Sequence, residues 1–232
     1  MKFTKKTSLG TIQKRYKRFL SDITLDSGEQ INAHVPNTGS MKECWGPDWK
    51  VLVTHADDPK RKLQYTLEMT HNGNSWICVN TGLTNKLVHE ALNNDVISEL
   101  AGYELIKPEK KYKESRIDFF LSSHQNMEDC YVEVKNVTLI DGEKALFPDS
   151  VSTRGQKHLK DLMEIKEQGL RACMLYVVNR TDVNSFSPAK EIDPTYAQLL
   201  AEAQEKGVEI LAYQCSLSEE EILLESPIEV VL

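Results

Sequence analysis

The residue pattern changes character at Gly82, and that change restricts the fold more than any other feature of the chain. Before it, strand-like runs (Ile12–Leu25, Gln30–Val35, Lys50–His55, Leu63–His71 and Ser75–Asn80) are separated by turn sequences such as Asp26-Ser-Gly28 and Asn72-Gly73-Asn74. Five short strands in about 80 residues predict a small closed barrel of the OB type or a compact sandwich. After it, Leu87, Val88, Ala91, Leu92, Ile97 and Leu100 recur at helical spacing, which predicts a helix over Thr84–Ala101. Strands are expected at Ser115–Ser122, Cys130–Leu139, Leu170–Val178, Glu209–Gln214 and Ile228–Leu232. Helices fall between them: Gln156–Gln168 ends at Gly169, and another opens at Asp193-Pro194 and closes at Gly207. The order predicts an OB-like β-barrel over residues 1–82 and a mixed α/β domain over 83–232.

The 232 residues are enough to bury a sizeable core, and 40% hydrophobic with 27% charged residues is the composition of a globular protein. Apolar runs such as Ala172–Val178 fall far short of the ~20 residues that span a bilayer, which argues against a membrane protein. Met1–Gly10 has lysines but no apolar run of the secretory kind. Five widely spaced cysteines without a C-x-x-C pair fit neither a disulfide framework nor a zinc ribbon, and point to a reducing cytoplasm.

Charge divides the chain as the pattern does. The formal net charge is −7, yet residues 1–82 hold 12 Lys and Arg against eight Asp and Glu, while residues 83–232 hold 16 against 27. This asymmetry suggests a polyanion-facing N-terminal region on an acidic body. Lys2, Lys5 and Lys6 read as a solvated terminus. In Arg15-Tyr-Lys-Arg-Phe19 cations alternate with aromatics; as one strand it places Arg15, Lys17 and Phe19 on one face and Tyr16 and Arg18 on the other. Such a face either grips phosphates while a ring stacks on a base, or is a half-buried strand with wet cations.

The chemistry concentrates after Gly82. Arg116-Ile-Asp-Phe-Phe-Leu121 and Cys130-Tyr-Val-Glu-Val-Lys-Asn136 both alternate, so Glu133 and Lys135 share a face, and antiparallel pairing brings Asp118 beside them. Two carboxylates and an ammonium on apolar strands are costly to bury without a purpose. They suit Mg²⁺ or Mn²⁺ with a lysine to orient water or steady a phosphate; the alternative is a structural ion pair.

These segments, with His34-Val-Pro-Asn-Thr-Gly-Ser-Met41, Val132–Leu139, Phe147–Leu159 and Phe186-Ser-Pro-Ala189, together resemble the SfsA family, the sugar fermentation stimulation proteins, over essentially the whole chain. The resemblance implies an OB-like domain followed by a PD-(D/E)xK restriction-endonuclease-like domain, in a cytoplasmic bacterial protein that binds DNA. It implies that Asp118, Glu133 and Lys135 fall on the nuclease-fold signature, Gln156 on the glutamine of the following helix, and Glu90 on an extra acid toward the metal. It also implies a regulatory effect on sugar use, including maltose.

Two other stretches fit that reading. Asn37-Thr38-Gly-Ser40, with His34 nearby, is either a phosphate cradle or an Asx turn. Arg154-Gly-Gln-Lys157-His158 offers cations and free N–H groups at a helix start, or is a solvated first turn capped by Thr153. His55, His71, His89 and His124 lack ligand-like spacing, and no glycine-rich loop supports a nucleotide or redox cofactor. Three functions compete: a DNA-binding protein without sequence specificity, an active Mg²⁺-dependent nuclease, and a protein-interaction module using the acidic C-terminal half. The partner expected is single- or double-stranded DNA, with a homodimer as one assembly left open.

Overall fold

A computed structural model describes all 232 residues. The N-terminal barrel is built from β1 (Thr7–Tyr16), β2 (Leu20–Leu25), β3 (Gln30–His34), β4 (Trp49–His55), β5 (Tyr65–His71) and the short β6 (Trp76–Cys78). The strands run in the order β3-β2-β1-β4-β5-β6, and a parallel pairing of β3 with β5 closes the barrel. β1 pairs with β2 on one side and β4 on the other. Gly10 permits this, since a Cβ there would lie 2.5 Å from the Thr24 carbonyl oxygen.

The second domain adds α1 (Thr84–Asn93), β7 (Leu105–Tyr112), β8 (Ser115–Ser122), β9 (Cys130–Val137), β10 (Leu139–Asp141), β11 (Lys144–Phe147), α2 (Thr153–Glu167), β12 (Arg171–Val178), β13 (Ser185–Pro188), α3 (Pro194–Glu205), β14 (Glu209–Leu217), β15 (Ile222–Pro227) and β16 (Glu229–Val230). Its main sheet runs β15-β14-β12-β9-β8-β7, and a smaller one runs β10-β11-β13-β16. The centre of the main sheet is parallel, β9 to β12 to β14, as crossovers through α2 and α3 require. β12 is accordingly apolar and buried along nearly its whole length. The expected OB-like barrel followed by an α/β domain is therefore the architecture.

Three cores hold it together. The barrel interior is filled by Ile12, Ile23, Val51, Val53, Leu67 and their neighbours. On one face of the main sheet, α2 and α3 pack with Leu159, Leu162, Tyr196 and Leu200 against Met174, Tyr176 and Val178. On the other, α1 and the barrel cover Phe119, Val132, Leu175 and Val177. Leu52 and Met69 belong to this core and not to the barrel interior, so the alternating outward positions of β4 and β5 are buried against the second domain. Burying such side chains is worth roughly 1.5–3 kcal/mol each.

Several local expectations needed correction. Ile12–Leu25 is not one strand: the chain reverses at Lys17 and Arg18, whose φ angles of +47° and +68° make a hairpin turn. The shared-face assignment of Arg15, Lys17 and Phe19 fails with it. The helix expected to reach Ala101 ends at Asn93, and Ile97 and Leu100 reach the core through a separate 3-10 turn at Ser98–Leu100. The first residues are not a free terminus: Lys2 bridges Glu221, and Phe3 N–H donates to the Glu220 carbonyl at 3.1 Å. No helix is long and apolar enough to cross a membrane.

Candidate functional site

β8 and β9 pair from Leu121–Cys130 to Phe119–Val132, and the ladder ends there. Beyond it the Asp118 side chain takes the place of a backbone partner: the Val134 N–H donates to Asp118 Oδ2 at 2.8 Å. Asp118 Oδ1 accepts from Asn85 Nδ2 on α1, also at 2.8 Å. Glu133 and Lys135, on the opposite face of β9 from Val132 and Val134, point toward α2. Ile117 joins the α2 side and Phe119 the α1 side, so the expected alternation of β8 breaks at Asp118; its carboxyl still lies close enough to feel the charges of Glu133 and Lys135.

Glu133 is 2% exposed. Its Oε1 accepts from Lys135 Nζ at 2.5 Å and from His158 Nδ1, while Oε2 is buried with no partner. Burial and the neighbouring Glu133 charge push the Asp118 carboxyl up, against the opposing hydrogen bonds from Val134 and Asn85. Burial acts on Glu133 in the same sense, but there the His158 hydrogen bond and the Lys135 charge outweigh it and hold the carboxyl below its usual range. Their surroundings thus shift the two carboxyls in opposite directions.

The other expected contributors are distributed differently. Gln156 turns away, donating to both Asp193 carboxylate oxygens at 3.0 and 3.1 Å. His158, two positions on and 3% exposed, is the α2 side chain that meets Glu133. Glu90 forms an ion pair with the Met1 amino group at 2.8 Å, so the α1 residue bonded to Asp118 is Asn85. Glu90, Asn85, His89, Glu109 and Asp118 still line one cavity of about 430 Å³. Glu109 stands opposite Asp118 in β7, between the Pro108–Phe119 and Lys110–Ile117 pairs, in a left-handed conformation with φ +59°.

Arg154 is exposed at the start of α2, its Nε 3.4 Å from His158 Nε2. Lys157 instead bonds Ser115 Oγ and lies 3.2 Å from Asp161, and the helix is capped by Ser152, not Thr153. On the barrel, Lys17 and Arg18 project from the hairpin tip, and Tyr16 carries Lys14 over its ring at 5.7 Å. Arg15 is not free: it donates to the carbonyls of Asn37, Gly39 and Ser40 at 3.2–3.4 Å. Asn37 is buried in an Asx turn, accepting from Gly39 N–H and donating to the Val79 carbonyl. Thr38 is exposed and His34 half-buried. The loop reaches across to the second domain, where the Ser40 N–H and hydroxyl both donate to Asp149 Oδ2 at 3.0 and 3.1 Å. Gly39 permits that approach, since a Cβ would meet the same oxygen at 2.7 Å.

Sequence reasoning missed His158 and Asn85. The available signal for His158 was its i, i+4 spacing from Arg154, beside the core positions Leu159 and Leu162.

Comparison with known proteins follows this architecture. Residues 82–221 match the family described as sugar fermentation stimulation protein RE domain, and residues 14–79 match the SfsA N-terminal OB domain. The chain belongs to the SfsA family. It is 48% identical over 235 residues, all of both chains, to a sugar fermentation stimulation protein homolog of Shewanella frigidimarina. It is 50% identical to one of Geotalea uraniireducens over 213 residues, 91% of each chain. Among solved structures, Pyrococcus furiosus SfsA in complex with Ca²⁺ superposes with a TM-score of 0.87 at 29% identity, covering 100% of this chain and 98% of that one. SfsA relatives thus share both domains in this order.

Proposed function

We propose that this SfsA-family chain is a cytoplasmic DNA-binding protein without sequence specificity, and that Asp118 and Glu133 form a divalent-cation site of the nuclease type. The observation that carries the proposal is the unpartnered Oε2 of buried Glu133 at the fork where Asp118 replaces the ladder. A buried carboxylate oxygen without a donor is unfavourable unless a cation completes it. Two carboxylates, with no thiolate or free imidazole among them, are the hard oxygen donors that Mg²⁺ or Mn²⁺ prefers. The Ca²⁺ complex of the Pyrococcus protein supports the same class of ion.

When bound, such a cation draws charge from a phosphate oxygen and acts as a Lewis acid. The chain's own groups do the rest. Lys135 Nζ gives one N–H to Glu133 and keeps donors for a water or a phosphate oxygen. Arg154 and the hairpin cations Lys17 and Arg18 offer contacts to the backbone of DNA, which carry affinity but no sequence information. The relatives' printed name supports a regulatory output in sugar use.

An active nuclease is the second reading, favoured by the position of Lys135 beside Glu133. Cleavage of single-stranded, double-stranded and branched DNA with Mg²⁺ or Mn²⁺, together with binding across a salt series, tests both readings. Wild type is compared with Asp118→Asn and Glu133→Gln. Binding that weakens steeply with salt is expected for all three proteins. Cleavage by wild type alone establishes the nuclease, and binding without any cleavage leaves a nuclease-like fold used as a DNA platform. Absence of binding even at low salt overturns the proposal.

A further inference from the structure

We infer that His158 is a positioning residue that decides which Glu133 oxygen is left for a cation, and that ties this choice to the Arg154 guanidinium. The inference rests on the cation site proposed above, but its geometry is in the chain itself. His158 lies one helical turn after Arg154 on α2 and reaches β9 between Glu133 and Lys135.

The hydrogen bonds fix its tautomer. Arginine has only donors, so His158 Nε2, 3.4 Å from Arg154 Nε, accepts. Nδ1 therefore faces Glu133 Oε1 as the donor. Lys135 Nζ, 2.5 Å from that oxygen and 3.2 Å from Nδ1, is a second donor on the same acceptor and not a donor to the ring. A bare Nδ1 would instead set its lone pair against the carboxylate. Oε1 is thus taken twice while Oε2 has no partner. With one oxygen pinned from two directions, the carboxylate cannot rotate, and a cation meets Oε2.

The other end of the ring adds a link to substrate. Arg154 is held through Nε, which leaves both terminal nitrogens of its exposed guanidinium for a phosphate oxygen. A phosphodiester bound there draws on the residue that orders His158, which in turn orders Glu133. The oxyanion contact and the cation contact share one chain of hydrogen bonds: Arg154, His158, Glu133. Gln156 cannot substitute, because its amide is committed to Asp193.

The test uses the full chain with Mn²⁺ as probe. Calorimetry compares wild type, His158→Ala and His158→Asn; the asparagine amide can stand where Nδ1–H stands and still donate to Glu133. Loss of the outer partner of a ligand weakens metal binding about 10–100-fold, so the alanine variant is expected in that range and the asparagine variant within a few-fold of wild type. Nitrogen-15 NMR of the metal-free wild type is expected to show Nδ1 protonated and Nε2 bare. Wild-type Mn²⁺ affinity in the alanine variant overturns the inference, as does equal loss in both variants or a bare Nδ1. A wild type that takes up no Mn²⁺ overturns the cation site itself, whereas uptake left unchanged by His158→Ala overturns the positioning role alone. The NMR result stands even if the alanine variant fails to fold.

Discussion

Arg15 and Arg18 lie three positions apart in a run of cations, yet the fold treats them oppositely. Arg15 saturates three carbonyls of the loop carrying Asn37–Ser40, whereas Arg18 stands at an exposed hairpin tip in a left-handed conformation. Arg15→Ala is expected to destabilise the protein by about 1–3 kcal/mol, since it leaves those carbonyls without their charged donor. Arg18→Ala is expected to stay within about 0.5 kcal/mol of wild type. If the tip contacts DNA, only Arg18→Ala should flatten the salt dependence of binding without loss of stability, by about one unit in log–log slope. Denaturant melts paired with binding isotherms in a salt series check both halves. The same contrast runs through the site. Glu133 and Lys135 were visible because alternation along one strand puts them on one face, a strictly local property. His158 was not, because its role depends on how α2 docks on the sheet.

At the scale of elements, Asp193 joins two helices. It caps α3 by accepting from the Tyr196 N–H, accepts from the Ser152 N–H just before α2, and receives the Gln156 amide. Burial would raise this carboxyl, but the donors at Ser152, Tyr196 and Gln156 outweigh it and hold it below its usual range. A depressed pKa means that the folded state prefers the ionised form. Its stabilisation is therefore complete above the unfolded value of about 4 and is lost as pH falls through the lower folded value. Asp193→Asn should accordingly flatten the acid limb of a pH–stability profile. Asp193→Ala should lower stability by about 2–4 kcal/mol at neutral pH, combining a lost cap with unsatisfied buried donors. Thermal melts from about pH 3 to pH 8 test both expectations, and identical acid limbs in wild type and Asp193→Asn would contradict the assignment. The cap was legible as Asp193-Pro194. The edge strand β7 was not: Leu105–Tyr112 is rich in lysine and holds Pro108, which only a sheet edge tolerates.

Across the whole molecule the two domains are locked by a buried cation. Arg180, 0% exposed, makes a double ion pair with Asp182 at 2.6 and 2.7 Å and donates to the carbonyls of Thr138 and Glu43, the latter on the barrel side. Nearby, the Cys78 N–H donates to the Asn179 carbonyl, and Ile77 bridges Arg180. Arg180→Ala strands Asp182 and the carbonyls, and is expected to cost about 3–5 kcal/mol. Calorimetry is expected to show one transition for wild type and separate barrel and α/β melts for Arg180→Ala. A single unshifted transition would show that the apolar interface through Leu52 and Met69 suffices alone.

By itself the sequence determined what depends on neighbours along the chain. The change of period at Gly82, the buried strands, the capped helices and the shared face of Glu133 and Lys135 follow from backbone geometry and local hydrophobic spacing. The family's motifs lie in that same linear order. Only the tertiary structure decided that Leu52 and Met69 face another domain, that Arg15 clamps a loop, and that α1 stops at Asn93. It also decided that His158, and not Gln156, meets Glu133. These outcomes turn on which surfaces meet. A polar side chain is committed by whichever buried donor or acceptor lies within about 3 Å, and no spacing along the chain specifies that partner.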